Sequence, residues 1–181
     1  MTARRFSFSN KKLRGIPRRL RALARWKNSF SGYYPNQLTP EEKYWNYKIP
    51  VYRNLVEGKQ TTKSIQAFCA QQLIDAAHLI YKAKPQDAKH SRVTCVISLP
   101  CMFSSELCIY TSEEYFKEHT AEKTGRFGKI ERIQGKSLAQ EYGLELPEGF
   151  NELGVLRINE DDDGNPYISE HWYFGEVHQH G

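Results

Sequence analysis

The feature that most constrains this chain is a change of hydrophobic period near its middle. Between Thr62 and Lys84, Ile65, Phe68, Cys69, Leu73, Ala76, Ala77 and Ile80 recur at the 3.6-residue spacing of a helix. Thr62 stands where an N-cap would stand, and Pro85 stands where a helix must stop. The period then falls to two. Val93, Cys95, Ile97 and Leu99 alternate with Thr94, Val96 and Ser98, and Leu107–Tyr110 gives a second strand. Pro100 and Ser104-Ser105 lie between the two, so a hairpin is expected.

Weaker signals flank this centre. Pro17–Asn28 reads as a helix with Leu20, Leu23 and Ala24 on one face and Arg18, Arg21 and Arg25 on the other. Residues 30–50 are rich in Tyr, Pro and Asn and are expected to be a connecting segment packed by its aromatics, with one helical turn after Thr39-Pro40. Thr111 with Glu114, and Ser137 with Gln140, have capping-box spacing; they predict helices from Thr111 to about Thr120 and from Ser137 to Gly143. Lys129–Ile133 reads as a strand. A closing hairpin is expected from Leu153–Asn159 and Tyr167–Phe174, around an acidic turn containing Asp163-Gly164. Helices and strands come in blocks, without βαβ alternation. The expectation is a single α+β domain over 1–181, with a mostly antiparallel sheet, one long helix and several short ones.

Charge divides the chain. Residues 1–40 hold ten Lys/Arg and no Asp or Glu; the rest hold 16 basic and 21 acidic residues. A basic N-terminal segment (1–30, with its helix at 17–28) thus precedes a mildly acidic body (31–181). Such asymmetry points to nucleic acid, an acidic partner, or the body itself as counter-charge. Arg21 and Arg25 are like charges at i, i+4, which cost a few tenths of a kcal/mol unless an anion answers them. Phosphates would answer them, with Lys11 and Lys12 assisting; so would the ridge Glu114, Glu118 and Glu122 on the acidic helix. Trp26, Tyr33 and Tyr34 offer base-stacking surfaces in the nucleic-acid reading.

The chemistry of a reaction is missing. Cys69, Cys95, Cys101 and Cys108 form no Cys-x-x-Cys pair and read as buried thiols. Asn159, Asp161, Asp163, Gly164 and Glu170 match part of a calcium loop, but Pro166 and strand-like flanks favour a polar hairpin turn. Gly135-Lys136-Ser137 resembles the end of a phosphate loop but lacks its partner glycine. His171, His178 and His180 crowd the C-terminus with no convincing ligand beside them. No enzyme, cofactor or metal is expected. No apolar run approaches the length of a membrane span, no secretion signal is visible, and a cytoplasmic protein is expected.

Scattered aromatic marks carry a resemblance: Trp26, Tyr44-Trp45-Asn46-Tyr47, Arg92-Val93 leading to Pro100 and Phe103, Tyr115-Phe116, and Trp172-Tyr173-Phe174-Gly175-Glu176-Val177. Together they resemble a bacterial family of small cytosolic domains of uncharacterised function, and through it immunity proteins of contact-dependent and other polymorphic toxin systems. The resemblance implies a cytoplasmic antidote that blocks one secreted toxin, often a nuclease, by tight binding. Its partner-binding candidates are Asp161, Asp162 and Asp163 in the turn, Glu114 and Glu118, and the aromatics Tyr33, Tyr34, Tyr44 and Trp45. The alternative is a small nucleic-acid-binding protein using Arg18, Arg21, Arg25, Lys11 and Lys12.

Overall fold

The computed structural model describes residues 15–34, 44–48, 62–85, 92–99, 105–110, 112–127, 130–131, 137–160 and 166–176. In chain order the elements are α1 (Ile16–Asn28), β1 (Tyr44–Lys48), α2 (Lys63–Lys82), β2 (Arg92–Leu99), β3 (Ser105–Tyr110), α3 (Glu113–Phe127), β4 (Ile130–Glu131), α4 (Leu138–Tyr142), β5 (Phe150–Glu160) and β6 (Pro166–Glu176). The strands form one six-stranded sheet in the order β1-β3-β2-β6-β5-β4, and each pairing is antiparallel. The fold is α+β.

Two hairpins, β2–β3 and β5–β6, meet at the centre of the sheet, where Cys95 lies opposite Phe174 and Thr94 opposite Gly175. Gly175 is needed for its size. A Cβ there would stand 2.6 Å from the Val93 carbonyl oxygen and 3.1 Å from side-chain atoms of Thr94 and Leu153.

The alternation in β2 assigns its faces. Val93, Cys95 and Ile97 join Leu107, Ile109, Trp172 and Phe174 against the buried residues of α2, Cys69, Leu73, Ala77 and Ile80 among them. α1 packs on α2 through Leu23, Trp26 and the following Phe30. Burying such side chains stabilises by about 1.5–3 kcal/mol apiece, which outweighs the modest propensity of a helix with an uncapped start. The opposite face carries Thr94, Val96, Cys108, Tyr110 and Tyr173 and is covered by α3, with Phe116 edge-on to Tyr110 at 5.2 Å. The order through the molecule is α1 and α2, then the sheet, then α3.

Several expectations need correction. α3 begins at Glu113 with the Ser112 hydroxyl accepting from the Tyr115 N–H, so Ser112 occupies the cap position expected of Thr111; the helix also runs on to Phe127. Tyr44–Lys48 is an edge strand on β3, where a connecting segment is expected from the sequence. Trp26 is 2% exposed and lies in the core, so it offers no stacking surface for bases. The Ser137–Gln140 capping box is present in both its bonds, and Gly143 ends α4 in the left-handed region at φ 62°. Cys69, Cys95 and Cys108 are buried thiols, and burial pushes the Cys69 thiol up to about 12. Lys11, Lys12, Cys101, the Asp161–Asp163 turn, His178 and His180 lie outside the described residues.

Candidate functional site

α1 owes its position to one face and its charge to the other. Leu23 and Trp26, with Phe30 beyond, recur at helical spacing and dock on α2. Arg18, Arg21 and Arg25 then fall within about a quarter of the helix circumference on the outer side, and all three are exposed. The helix has no acidic residue in its first turn and no side-chain cap at Gly15. Arg18 and Arg19 therefore sit against the positive end of the helix dipole, where cations are unfavourable. Arg21 spends its Nε–H on the Pro17 carbonyl at 3.3 Å. Among the described residues, Arg18, Arg21 and Arg25 have no carboxylate partner.

The acidic helix does not answer them. Glu114 and Glu118 are exposed on α3, which covers the other side of the sheet. Glu113 turns inward and pairs with Arg92 at 3.0 Å, while the Arg92 guanidinium stacks 4.0 Å from the Phe116 ring centre. A self-neutralising pair of helices, one of the readings open from sequence, is ruled out by this layering.

The arginine stripe continues into a cleft. Asn28 follows Arg21 and Arg25 on the same face and lines a cavity of about 370 Å³ between α1 and α2, with Lys27, Ser31, Asp75, His78 and Leu79. Lys27 Nζ lies 3.7 Å from Asp75 Oδ2, and Asp75 Oδ1 accepts from Gln71 Nε2 at 2.8 Å. The His78 ring meets Phe150 edge-to-face at 5.7 Å and lies tilted beside Tyr81. Its pKa is lowered, chiefly by burial and then by Lys82, with Asp75 and Glu148 pulling the other way. His78 Nδ1 is buried without a hydrogen-bond partner among the described residues.

The model of a protein family of unknown function, DUF3916, matches residues 24–176. The chain belongs to this family. Its match begins inside α1 and ends at the last residue of β6, so it takes in the whole sheet, the cleft and Arg25. No curated protein and no solved structure matches the chain significantly.

The DUF3916 domain places the other sequence candidates as follows. Tyr33, Tyr34 and Trp45 are half-buried and pack against the core cluster, with Tyr33 5.7 Å from Phe30 and 6.1 Å from Trp45 between ring centres. Burial raises the Tyr34 pKa. Tyr44 opens β1 opposite Tyr110. Glu170 lies within β6 opposite Arg157, in a strand rather than at the end of a calcium loop. Among the described residues no group of His, Cys, Asp and Glu could hold a metal ion. No helix among them is long and apolar enough to cross a membrane. Asp75 and His78 carry no signal of a site in the sequence, since they meet Lys27 and Asn28 only through the packing of two helices.

Proposed function

We propose that this DUF3916 protein is a cytoplasmic binding protein, without a reaction of its own, that holds nucleic acid through the outer face of α1. The observation that carries this reading is the row Arg18, Arg21 and Arg25, exposed and without carboxylate partners among the described residues. Arginines spaced along one helix face suit successive phosphates, which they contact without reading bases. Lys11 and Lys12 extend the basic segment toward the N-terminus. The test is retention of single-stranded and duplex oligonucleotides over a salt series. Affinity that falls with log salt, by a slope of about −0.7 to −0.9 per phosphate neutralised, supports the proposal. Absence of binding at low salt sinks it.

A second proposal, an antidote to a secreted bacterial toxin, draws on a different surface. Glu114 and Glu118 are exposed on the side of the sheet away from the arginines, which supports a contact with a basic nuclease cleft. The half-buried Tyr33, Tyr34 and Trp45 pack on the α1 side of the sheet and would belong to a separate contact. Affinity capture from the native host, with Glu114→Lys and Glu118→Lys as controls, tests it. A captured toxin that still binds the double variant would remove these carboxylates from the interface.

A further inference from the structure

We propose that the α1–α2 cleft holds the ribose of a nucleotide whose phosphate lies on Arg25, so that the protein prefers RNA to DNA. The proposal rests on the nucleic-acid reading of α1 and adds the sugar to it.

Three observations converge on the cleft. The first is continuity. Arg21, Arg25 and Asn28 share one face of α1, and Asn28 lines the cavity. A ribose and its own phosphate are joined by a single short link, so the groups that hold them must be neighbours, as Asn28 and Arg25 are. The second is charge. Lys27 and Asp75 face each other at 3.7 Å, and the other lining residues are Asn28, Ser31, His78 and Leu79. With its pKa lowered by burial, His78 is neutral near pH 7. The cleft is therefore close to neutral overall, a few polar groups set in a mostly apolar lining, which suits a sugar better than a second phosphate.

The third observation is the state of the acceptors. Asp75 Oδ1 is engaged by Gln71 at 2.8 Å, which fixes the carboxylate; Oδ2 stands 3.7 Å from Lys27, beyond hydrogen-bond length, and retains acceptor capacity. A carboxylate accepting from a ribose hydroxyl is a recurrent way to hold that sugar. His78, braced by Phe150 and Tyr81, sets a fixed ring in the wall of the cleft. The volume of about 370 Å³ is at the lower end of the range for ligand pockets, roughly 300–1,000 Å³. The 2′-hydroxyl is the group that separates RNA from DNA at such a site.

The test is an anisotropy titration of labelled oligouridylate and oligodeoxyuridylate of about 12 nucleotides, identical in base and differing in the sugar. The wild-type protein is expected to bind the RNA about tenfold or more tightly, the worth of one hydrogen bond to a charged acceptor. Asp75→Asn and Asn28→Ala should each bring the ratio of RNA to DNA affinity toward one. Asn28 is exposed, so its variant decides the matter should Asp75→Asn fail to fold. Equal binding of the two oligomers overturns the ribose site and leaves the arginine face standing. A preference that survives both variants also overturns it, and binding of neither oligomer overturns both proposals.

Discussion

The Tyr110 hydroxyl lies 2.9 Å from Nδ1 of His119, and this hydrogen bond fastens α3 to the sheet from within. Tyr110 is 1% exposed, and burial raises its pKa well above the ordinary phenol value, so the hydroxyl stays protonated. Cys108, buried beside it, raises that pKa further. Together with Arg92–Glu113, the Tyr110–His119 bond sets polar contacts beside the small apolar cluster of Val96, Leu156 and Tyr173.

Removing that hydroxyl should therefore cost more than a surface hydrogen bond would. Tyr110→Phe is expected to lower stability by about 1–3 kcal/mol, because buried polar neighbours lose a partner. Urea unfolding followed by far-ultraviolet circular dichroism measures it. A midpoint equal to that of the wild type would show that α3 is held by its other contacts alone.

Gly175→Ala probes the junction of the two hairpins. The added Cβ meets backbone at 2.6 Å, and the β2 carbonyl cannot swing away without losing its place in the ladder. The expected loss is about 1–3 kcal/mol, the usual cost of overpacking a core. A melting temperature unchanged by the substitution would mean that β2 and β6 can separate locally at little cost.

These contacts mark how far the sequence could be read. α2 and both hairpins were legible because each carries its own period, and the α4 cap because Ser137 and Gln140 are three residues apart. The strand β1 was not. Tyr44-Trp45-Asn46-Tyr47-Lys48 has little apolar alternation, and it becomes a strand because β3 offers an edge to pair with, Tyr44 lying opposite Tyr110. The burial of Trp26 was signalled by its place three residues after Leu23 and four before Phe30, on the apolar face of α1. The separation of the arginines from Glu114 and Glu118 depends on which side of the sheet each helix packs, and no local pattern encodes that. The cleft likewise joins Lys27 and Asn28 to Asp75 and His78 across a long stretch of chain.

His78 gives the cleft a pH signature. Its pKa in the folded protein lies below the ordinary value of 6.5, with burial as the largest cause and Lys82 next; Asp75 and Glu148 oppose them. The folded state thus binds the proton less readily than the unfolded chain. Stability should be level above pH 6.5 and fall as the pH drops from there through the folded-state pKa. His78→Gln should flatten this part of the curve. Thermal melts between about pH 5 and 8 measure it, and an equal slope in the variant would assign the acid sensitivity to other groups.

The arginine face makes the opposite demand on stability and binding, and that separates its role from mere solubility. Arg18 lies in the first turn of α1, against the positive end of the dipole, and the helix has no acidic residue there. Arg18→Glu should therefore stabilise the fold by about 0.3–1 kcal/mol. Arg21→Glu should add a few tenths of a kcal/mol more, since a carboxylate at that position would precede Arg25 at i, i+4 in the favourable order. In the same double variant, nucleic-acid affinity should fall sharply and the salt slope should flatten, because two phosphate contacts are replaced by repulsion. Paired urea titrations and anisotropy measurements at two salt concentrations read both effects. A variant that is more stable and no longer binds supports a face that trades helix stability for a polyanion. One that is more stable and binds as before would leave these two arginines out of the nucleic-acid interface.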